Sequence, residues 1–430
     1  MKMFAKYVFI IAIGTGLTSS AVLAEGPGYV IITTTSIVQQ STQLTNYVAH
    51  KRAMGFEVTV VSNTATTLGG WGGGIGNAAA ENIRAWLQGH RTNAQAEIVI
   101  DYALLLGNPN PTNGDVPMKL CYPRSTNEDV PTDFYYADLV GNWDINSNGF
   151  YGEYADYTNT CGPNRHYEVA VGRIPFYGSI QDLDGIQRKI IQYEADSLTN
   201  SSWRKDALLL MPNQDYSTWG YSVGPIAESQ VFTPEGWTYT SLYNFFNESA
   251  TLGAWTNRPH GVVMSWGHGN NDDPIGTVSC GYDGLLYLVC YLSLAVVNEL
   301  DDSRPAHVFL CGCQQAHPET TNNLAYALLK RGAITAIGAT RESYCINNTF
   351  AQYEAIWFAH GQNPRIMHDY VQCLVRDGMP SGNALYSLKD EYAPSSDYGL
   401  NTWANYLDYN LYGCPAVSVL CPFSGASWSF

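Results

Sequence analysis

The chain reads as an α/β protein with a doubly wound, mostly parallel sheet flanked by helices, and three observations carry that reading. Short β-branched and apolar runs alternate with helix-compatible stretches from Tyr29 to Leu106 and again from Trp203 to Gly338, the alternation that parallel strands joined by helical crossovers require. Several runs are apolar at nearly every position, as strands buried on both faces are. At 430 residues the chain exceeds what one core normally holds, so two subdomains are expected, 25–175 and 176–430.

Taken in order, Tyr29 to Thr35 is a strand, Val38 to Met54 a helix and Phe56 to Ser62 a second strand, which makes a βαβ unit. A glycine-rich loop from Gly69 to Gly76 precedes a helix over Ala78 to Gln88, and Glu97 to Leu106 is a further strand ending at Gly107 Asn108. Pro109 to Glu168 is different, rich in Pro, Asn, Asp, Gly and Tyr. An irregular excursion of that length usually carries function or a metal. Regular structure resumes with the strand Val169 to Pro175 and a helix with Ile180, Leu183, Ile186 and Ile190 along one face. The second half supplies strands over Ala207 to Met211, Val262 to Trp266, His307 to Cys311 and Ala333 to Gly338, with a helix over Thr321 to Lys330 before the last.

Residues 1–24 carry Lys2 and Lys6, an apolar stretch from Tyr7 to Ile13, and Ala21 Val22 Leu23 Ala24. This is the pattern of a secretory signal peptide cleaved after Ala24. No later run of 18 or more apolar residues follows, so an exported protein without a transmembrane anchor is expected, secreted or held in the cell envelope. Losing the two lysines moves the formal charge from −16 to −18. So acidic a surface argues against nucleic acid and anionic membranes as partners and leaves proteins or peptides. The exported part holds all ten cysteines. In an oxidising compartment most would pair, and one held back as a nucleophile would leave nine. Cys121 with Cys161 and Cys280 with Cys290 are the local options; a wholly structural set of buried thiols is the other reading.

Two strands end on reactive side chains: Val262 Val263 Met264 Ser265 Trp266 Gly267 His268 Gly269, and His307 Val308 Phe309 Leu310 Cys311 Gly312 Cys313. The carboxyl edge of an open α/β sheet is where ligands and chemistry sit. A His and a Cys side by side there are the minimum for thiolate catalysis. Cys311 and Cys313 share a strand face, but Cys313 is the later residue and is followed by the polar Gln314 Gln315, which places Cys311 in the core. The N–H groups of Gly269 and Cys313 are candidate oxyanion donors. A lone His after a strand is more often structural; the second strand with the same ending tips the balance.

The run Cys313 to Glu319, then Asn323 to Ile334 and Ala339 Thr340 Arg341, resembles the nucleophile region of the gingipain family of cysteine peptidases, of the caspase-like clan. Tyr135 to Leu139, Asn142 Trp143 Asp144, Gly152 Glu153 Tyr154, Val171 to Pro175 and Asn410 to Gly413 resemble further blocks of that family in the same order. The resemblance spans Tyr29 to Leu420. It implies a caspase-like α/β sandwich, endopeptidase activity, His268 as catalytic histidine and Cys313 as nucleophile. Glu168 precedes the Val-Gly-Arg block, where the arginine-specific members carry an acid that orients the histidine; an ordinary strand-end carboxylate is the alternative. Gly107 Asn108 and Gly413 Cys414 stand where the family often has Gly-Asp, which touches local packing more than catalysis. No pro-domain before the first strand and no appended domain after Leu420 is expected.

Asp144 Ile145 Asn146 Ser147 Asn148 Gly149 follows the opening of a calcium loop, three oxygen ligands at alternate positions and then Gly. Position 12 is Ala155 rather than Glu, with Glu153 or Asp156 near enough to substitute. A structural calcium on Asp144, Asn146, Asn148 and Glu153 is expected, and an Asx-rich turn without metal is the alternative. The expected function is an exported cysteine endopeptidase acting through a Cys-His dyad and an acyl-enzyme, or else a catalytically silent binding module on the same fold. There is no HExxH helix. The residue preferred at the cleaved bond is not legible.

Overall fold

The computed structural model describes residues 26–64, 68–91, 98, 100–196, 201–213, 220–270, 278–283, 287–345, 361–391 and 399–420. The signal peptide expected over residues 1–24 lies outside the described residues. Ten strands form one sheet: β1 (Gly28–Ile32), β2 (Glu57–Val61), β3 (Tyr102–Gly107), β6 (Ala170–Pro175), β7 (Asp206–Pro212), β8 (Thr238–Asn244), β9 (Val262–Trp266), β13 (Ala306–Cys311), β14 (Ala333–Ala339) and β15 (Tyr409–Gly413). Their spatial order is β2-β1-β3-β6-β15-β14-β13-β9-β7-β8. Two satellites flank it, the hairpin β4 (Lys119–Ser125) with β5 (Glu128–Thr132), and the ribbon β10 (His268–Asn270), β11 (Val278–Tyr282), β12 (Leu288–Leu292).

The sheet is mostly parallel, as the sequence predicts. β14 and β15 pair antiparallel, and β15 meets β6 through one bridge, Tyr412 to Arg173. Four strands on one side of this seam come from the first 175 residues and six on the other from the rest. β3, β6, β7, β9, β13 and β14 are buried at every position. That is why each reads as a continuous apolar run rather than an alternating one. Thr340 Oγ1, just beyond β14, donates to Pro131 O in the hairpin that follows β3, at 2.8 Å. The carboxyl ends of β3 and β14 therefore share one edge.

The expected helix over Val38 to Met54 is two helices, Thr35–Gln40 and Leu44–Ala53. The break has a cause: Asp184 accepts from the hydroxyls of Ser41 and Thr42 and from Thr42 N at 2.6 to 3.0 Å, drawing the chain out of helical hydrogen bonding. The excursion after β3 contains the β4–β5 hairpin and two four-residue helices, Phe134–Ala137 and Tyr154–Tyr157. Helices Ile180–Ala195 and Leu324–Lys330 begin on side-chain caps, Ser179 Oγ to Asp182 N at 3.2 Å and Asn323 Oδ1 to Tyr326 N at 2.8 Å. No described helix is long and apolar enough to cross a membrane.

Candidate active site

β9 and β13 are neighbours in parallel register, from His307 opposite Val262 to Cys311 opposite Trp266. Two residues beyond each end stand His268 and Cys313, so the register alone sets the two side by side at the carboxyl edge. Gly267 N donates to Cys311 O at 3.0 Å and carries the pairing past the strand ends. Glycine is required where the chains close. A methyl group on Gly269 would stand 1.6 Å from Cys313 O, and one on Gly312 2.6 Å from Gly267 O. His268, Gly269 and Cys313, expected from the sequence to share a site, are thus brought together.

Cys313 is half-buried, and its Sγ donates to Ser343 O at 3.7 Å, with Ser343 Oγ at 4.0 Å. Burial pushes the thiol up, Ser343 pulls it down, and the carboxylates of Asp408 and Glu342 push it up. The resting group is therefore a thiol that needs a base. Cys311 is fully buried under Tyr409, whose hydroxyl donates to its sulfur at 3.8 Å. Burial pushes that thiol well up, which suits the core role expected of it. Gln314, which follows Cys313, holds a left-handed φ of 57°. That turn lets Gln314 N bond Arg341 O at 2.7 Å and Ala316 N bond Ala339 O at 2.8 Å.

His268 is exposed and begins β10, paired with Cys280 of β11. Its ring meets the edge of Tyr282 at 5.5 Å and 83°. Cys280 is disulfide-bonded to Cys290 of β12, so the ribbon beneath the histidine is covalently tied. This is one of the two local pairings open to the sequence; Cys121 and Cys161 are free thiols.

Glu168 is placed elsewhere. It precedes β6, at the amino edge of the sheet, and β9 is the fourth strand on from β6. At roughly 4.8 Å per strand step that is about 19 Å sideways before the length of the strand is counted. Its Oε2 accepts from Leu139 N at 2.7 Å. The orienting role fails because adjacency to a family block fixes a place along the chain, not an edge of the sheet.

Sequence reasoning placed Thr340 and Arg341 in a family block but gave the segment from Thr340 to Tyr344 no role at the site. Asp408, fully buried, accepts from Thr340 Oγ1 at 2.9 Å and Arg341 N at 2.6 Å. Asn405 Oδ1 accepts from Tyr344 N at 2.7 Å. These bonds press Ser343 against the nucleophile. Arg341 is held by Glu319 and Asp129 at 2.6 and 2.7 Å and, with Arg124, Glu128, Gln314 and Tyr344, lines a cavity of about 330 Å³ beside Cys313.

In the segment read from the sequence as a calcium loop, Asp144 Oδ1 and Asn146 Oδ1 both accept from Asn148 N at 3.0 Å, and Asp144 Oδ2 accepts from Gly149 N at 3.0 Å. The side-chain amides of Asn146 and Asn148 donate to Glu153 Oε2 at 3.3 and 2.8 Å. The four residues named from the sequence therefore converge. Among the described residues no three His, Cys, Asp or Glu cluster tightly enough to hold an ion by themselves.

A family model described as Peptidase family C25 matches residues 23–420. Among solved structures the chain is similar to the Arg specific cysteine proteinase gingipain R (RGPB), with 15% identity, TM-score 0.65, and 92% of this chain and 78% of that one covered. It is similar to the complex of Porphyromonas gingivalis RgpB pro- and mature domains at 15% identity and TM-score 0.61, covering 90% and 78%. A third structure, described only as a protease, gives 16% identity and TM-score 0.58, covering 91% and 78%. At these identities the structural matches speak for the fold, a caspase-like α/β sheet. No curated protein matches the chain.

Proposed function

We propose that this chain, which belongs to peptidase family C25, is an exported cysteine endopeptidase whose nucleophile is Cys313 and whose general acid-base is His268. The observation that carries the proposal is the in-register ending of β9 and β13. In this reading His268 takes the proton of Cys313, the thiolate attacks a peptide carbonyl, and the tetrahedral oxyanion rests on the N–H groups of Gly269 and Cys313. His268 then protonates the leaving amine, and water hydrolyses the thioester. Labelling by a peptidyl electrophile should be lost in Cys313→Ala and kept in Cys311→Ala. Labelling that survives Cys313→Ala would sink the assignment, and a parent chain that neither labels nor cleaves would favour the silent module.

The Asp144 loop is proposed as a structural calcium site. What supports it is an oxygen-rich set of donors together with Asp156, which is 2% exposed and whose Oδ2 has no partner among the described residues. Asp156 Oδ1 accepts from Ile145 N at 3.2 Å, and burial, with Glu153 and Asp144 adding to it, raises its carboxyl. Bound calcium would order the excursion and take no part in the chemistry. Chelation should lower the melting temperature, with recovery on adding calcium but not magnesium; an unchanged melting curve would remove the claim.

A further inference from the structure

A second cavity, of about 340 Å³, opens on the opposite side of the dyad from the Arg341 wall. Its apolar lining is Pro212 at the end of β7, Phe245 and Phe246 just after β8, and Tyr282 and Val289 from the disulfide-tied ribbon. Phe245, which lines it, is 56% exposed, and Tyr287 and Leu288, which lead along the chain into Val289, are exposed too. An exposed apolar concentration of this kind marks a binding surface. Tyr282 joins it to the chemistry, because the ring that lines the cavity also packs edge-on against His268. Asn244, Asn247 and Asp283 supply the polar part of the lining, which holds no lysine or arginine, so nothing there recruits an acidic side chain.

We infer that this cavity is the subsite for a large apolar or aromatic residue on the leaving-group side of the cleaved bond, an inference that rests on the proposed peptidase reading. The side follows from the proton. The general acid must reach the leaving nitrogen, so a pocket one ring away from His268 lies towards the amine product, while the Arg341 cavity lies beyond Cys313. The volume admits one phenylalanine or tryptophan side chain. Phe245 and Val289 offer apolar faces to it, and Tyr282 would report its occupancy to the histidine.

The inference is tested first without turnover. In the Cys313→Ala chain, phenylalanyl-glycinamide, which mimics the amine product, should bind at least about tenfold more tightly than glycyl-glycinamide, and Phe245→Ala added to that background should erase most of the difference. In the active chain, internally quenched peptides that differ only after the cleaved bond should show a preference for Phe or Leu over Gly of roughly 10- to 100-fold in kcat/KM, collapsing in Phe245→Ala and in Val289→Ser. Equal binding of the two amides, or a preference indifferent to both substitutions, overturns the subsite. Selective binding in a chain that cleaves no peptide would instead defeat the peptidase reading and leave the pocket standing.

Discussion

Asp408 shows how a single buried group can set both the geometry and the pH response of the site. Burial pushes its carboxyl up to about 7, against the hydrogen bonds from Arg341 N and Thr340 that pull it down. In the unfolded chain the same group ionises near 4. Between those values the unfolded state binds fewer protons than the folded one, so stability falls as pH rises from about 4 to about 7. Lys389, pushed down by burial from 10.5 to about 7, acts with the opposite sign, raising stability as pH climbs above 7. Asp408→Asn keeps an oxygen for Arg341 N and Thr340 Oγ1 and removes the titration. Urea unfolding at pH 5 and pH 7 should show the parent losing stability across that interval and the variant losing little; parallel losses would refute the argument. Gly269 makes the complementary point about space. With a methyl group only 1.6 Å from Cys313 O, Gly269→Ala must displace the nucleophile, and an ångström of misplacement costs on the order of 100-fold. The rate of Cys313 alkylation by a peptidyl electrophile reads that loss directly.

At the scale of elements, the ribbon β10-β11-β12 behaves as a cantilever for His268. Helix Glu248–Asn257 packs against β12, and the Cys280–Cys290 bond and the ladder around it tie β10 and β11 to that support. Closing a loop of about ten residues is worth roughly 2 to 3 kcal/mol. Replacing both cysteines with serine should therefore slow Cys313 labelling several-fold while the main sheet, measured by amide exchange in β9 and β13, keeps its protection. Loss of protection in those strands would mean that the ribbon is part of the global fold. Which elements were legible in the sequence follows from their environments. β9 and β13 could be read because burial on both faces forces continuous apolar runs, and with them came His268 and Cys313. The β4–β5 hairpin could not, since Pro123 and Pro131 interrupt its pattern and its partners are supplied by distant residues such as Arg341. The clamp at Thr340 to Tyr344 escaped for another reason: what it brings to the thiol is chiefly a main-chain carbonyl, which any residue could provide. Glu168 misled because its neighbours in sequence carry a family block while its own carboxylate serves Leu139 N at the far edge.

For the molecule as a whole, the decisive feature is the seam at which β6 meets β15. One bridge holds the main chains there, so side chains must supply the rest. Arg173 of β6 is fully buried, makes a two-point ion pair with Asp133 at 2.6 and 2.5 Å, and donates to Val116 O at 2.9 Å. Asp133 N in turn donates to Asn410 Oδ1 of β15 at 2.8 Å. The apolar core is continuous across this seam, from Tyr29 on β1 to Val263 on β9, which predicts that the two halves melt together as one calorimetric transition. It also predicts what breaking the pair does. Arg173→Met leaves the Asp133 carboxylate buried without its cation, a situation that costs about 3 to 5 kcal/mol, and should lower the melting temperature of both halves by the same amount. Adding Asp133→Asn removes the stranded charge, keeps the backbone contact to Asn410, and should recover a large part of the loss. If Arg173→Met instead splits the melt into two transitions, the seam is a hinge between independently folding lobes. Cys313 and His268, both carried by the half beyond the seam, would then keep the labelling after the first transition; a single shared transition, with labelling lost along with it, is the expected outcome.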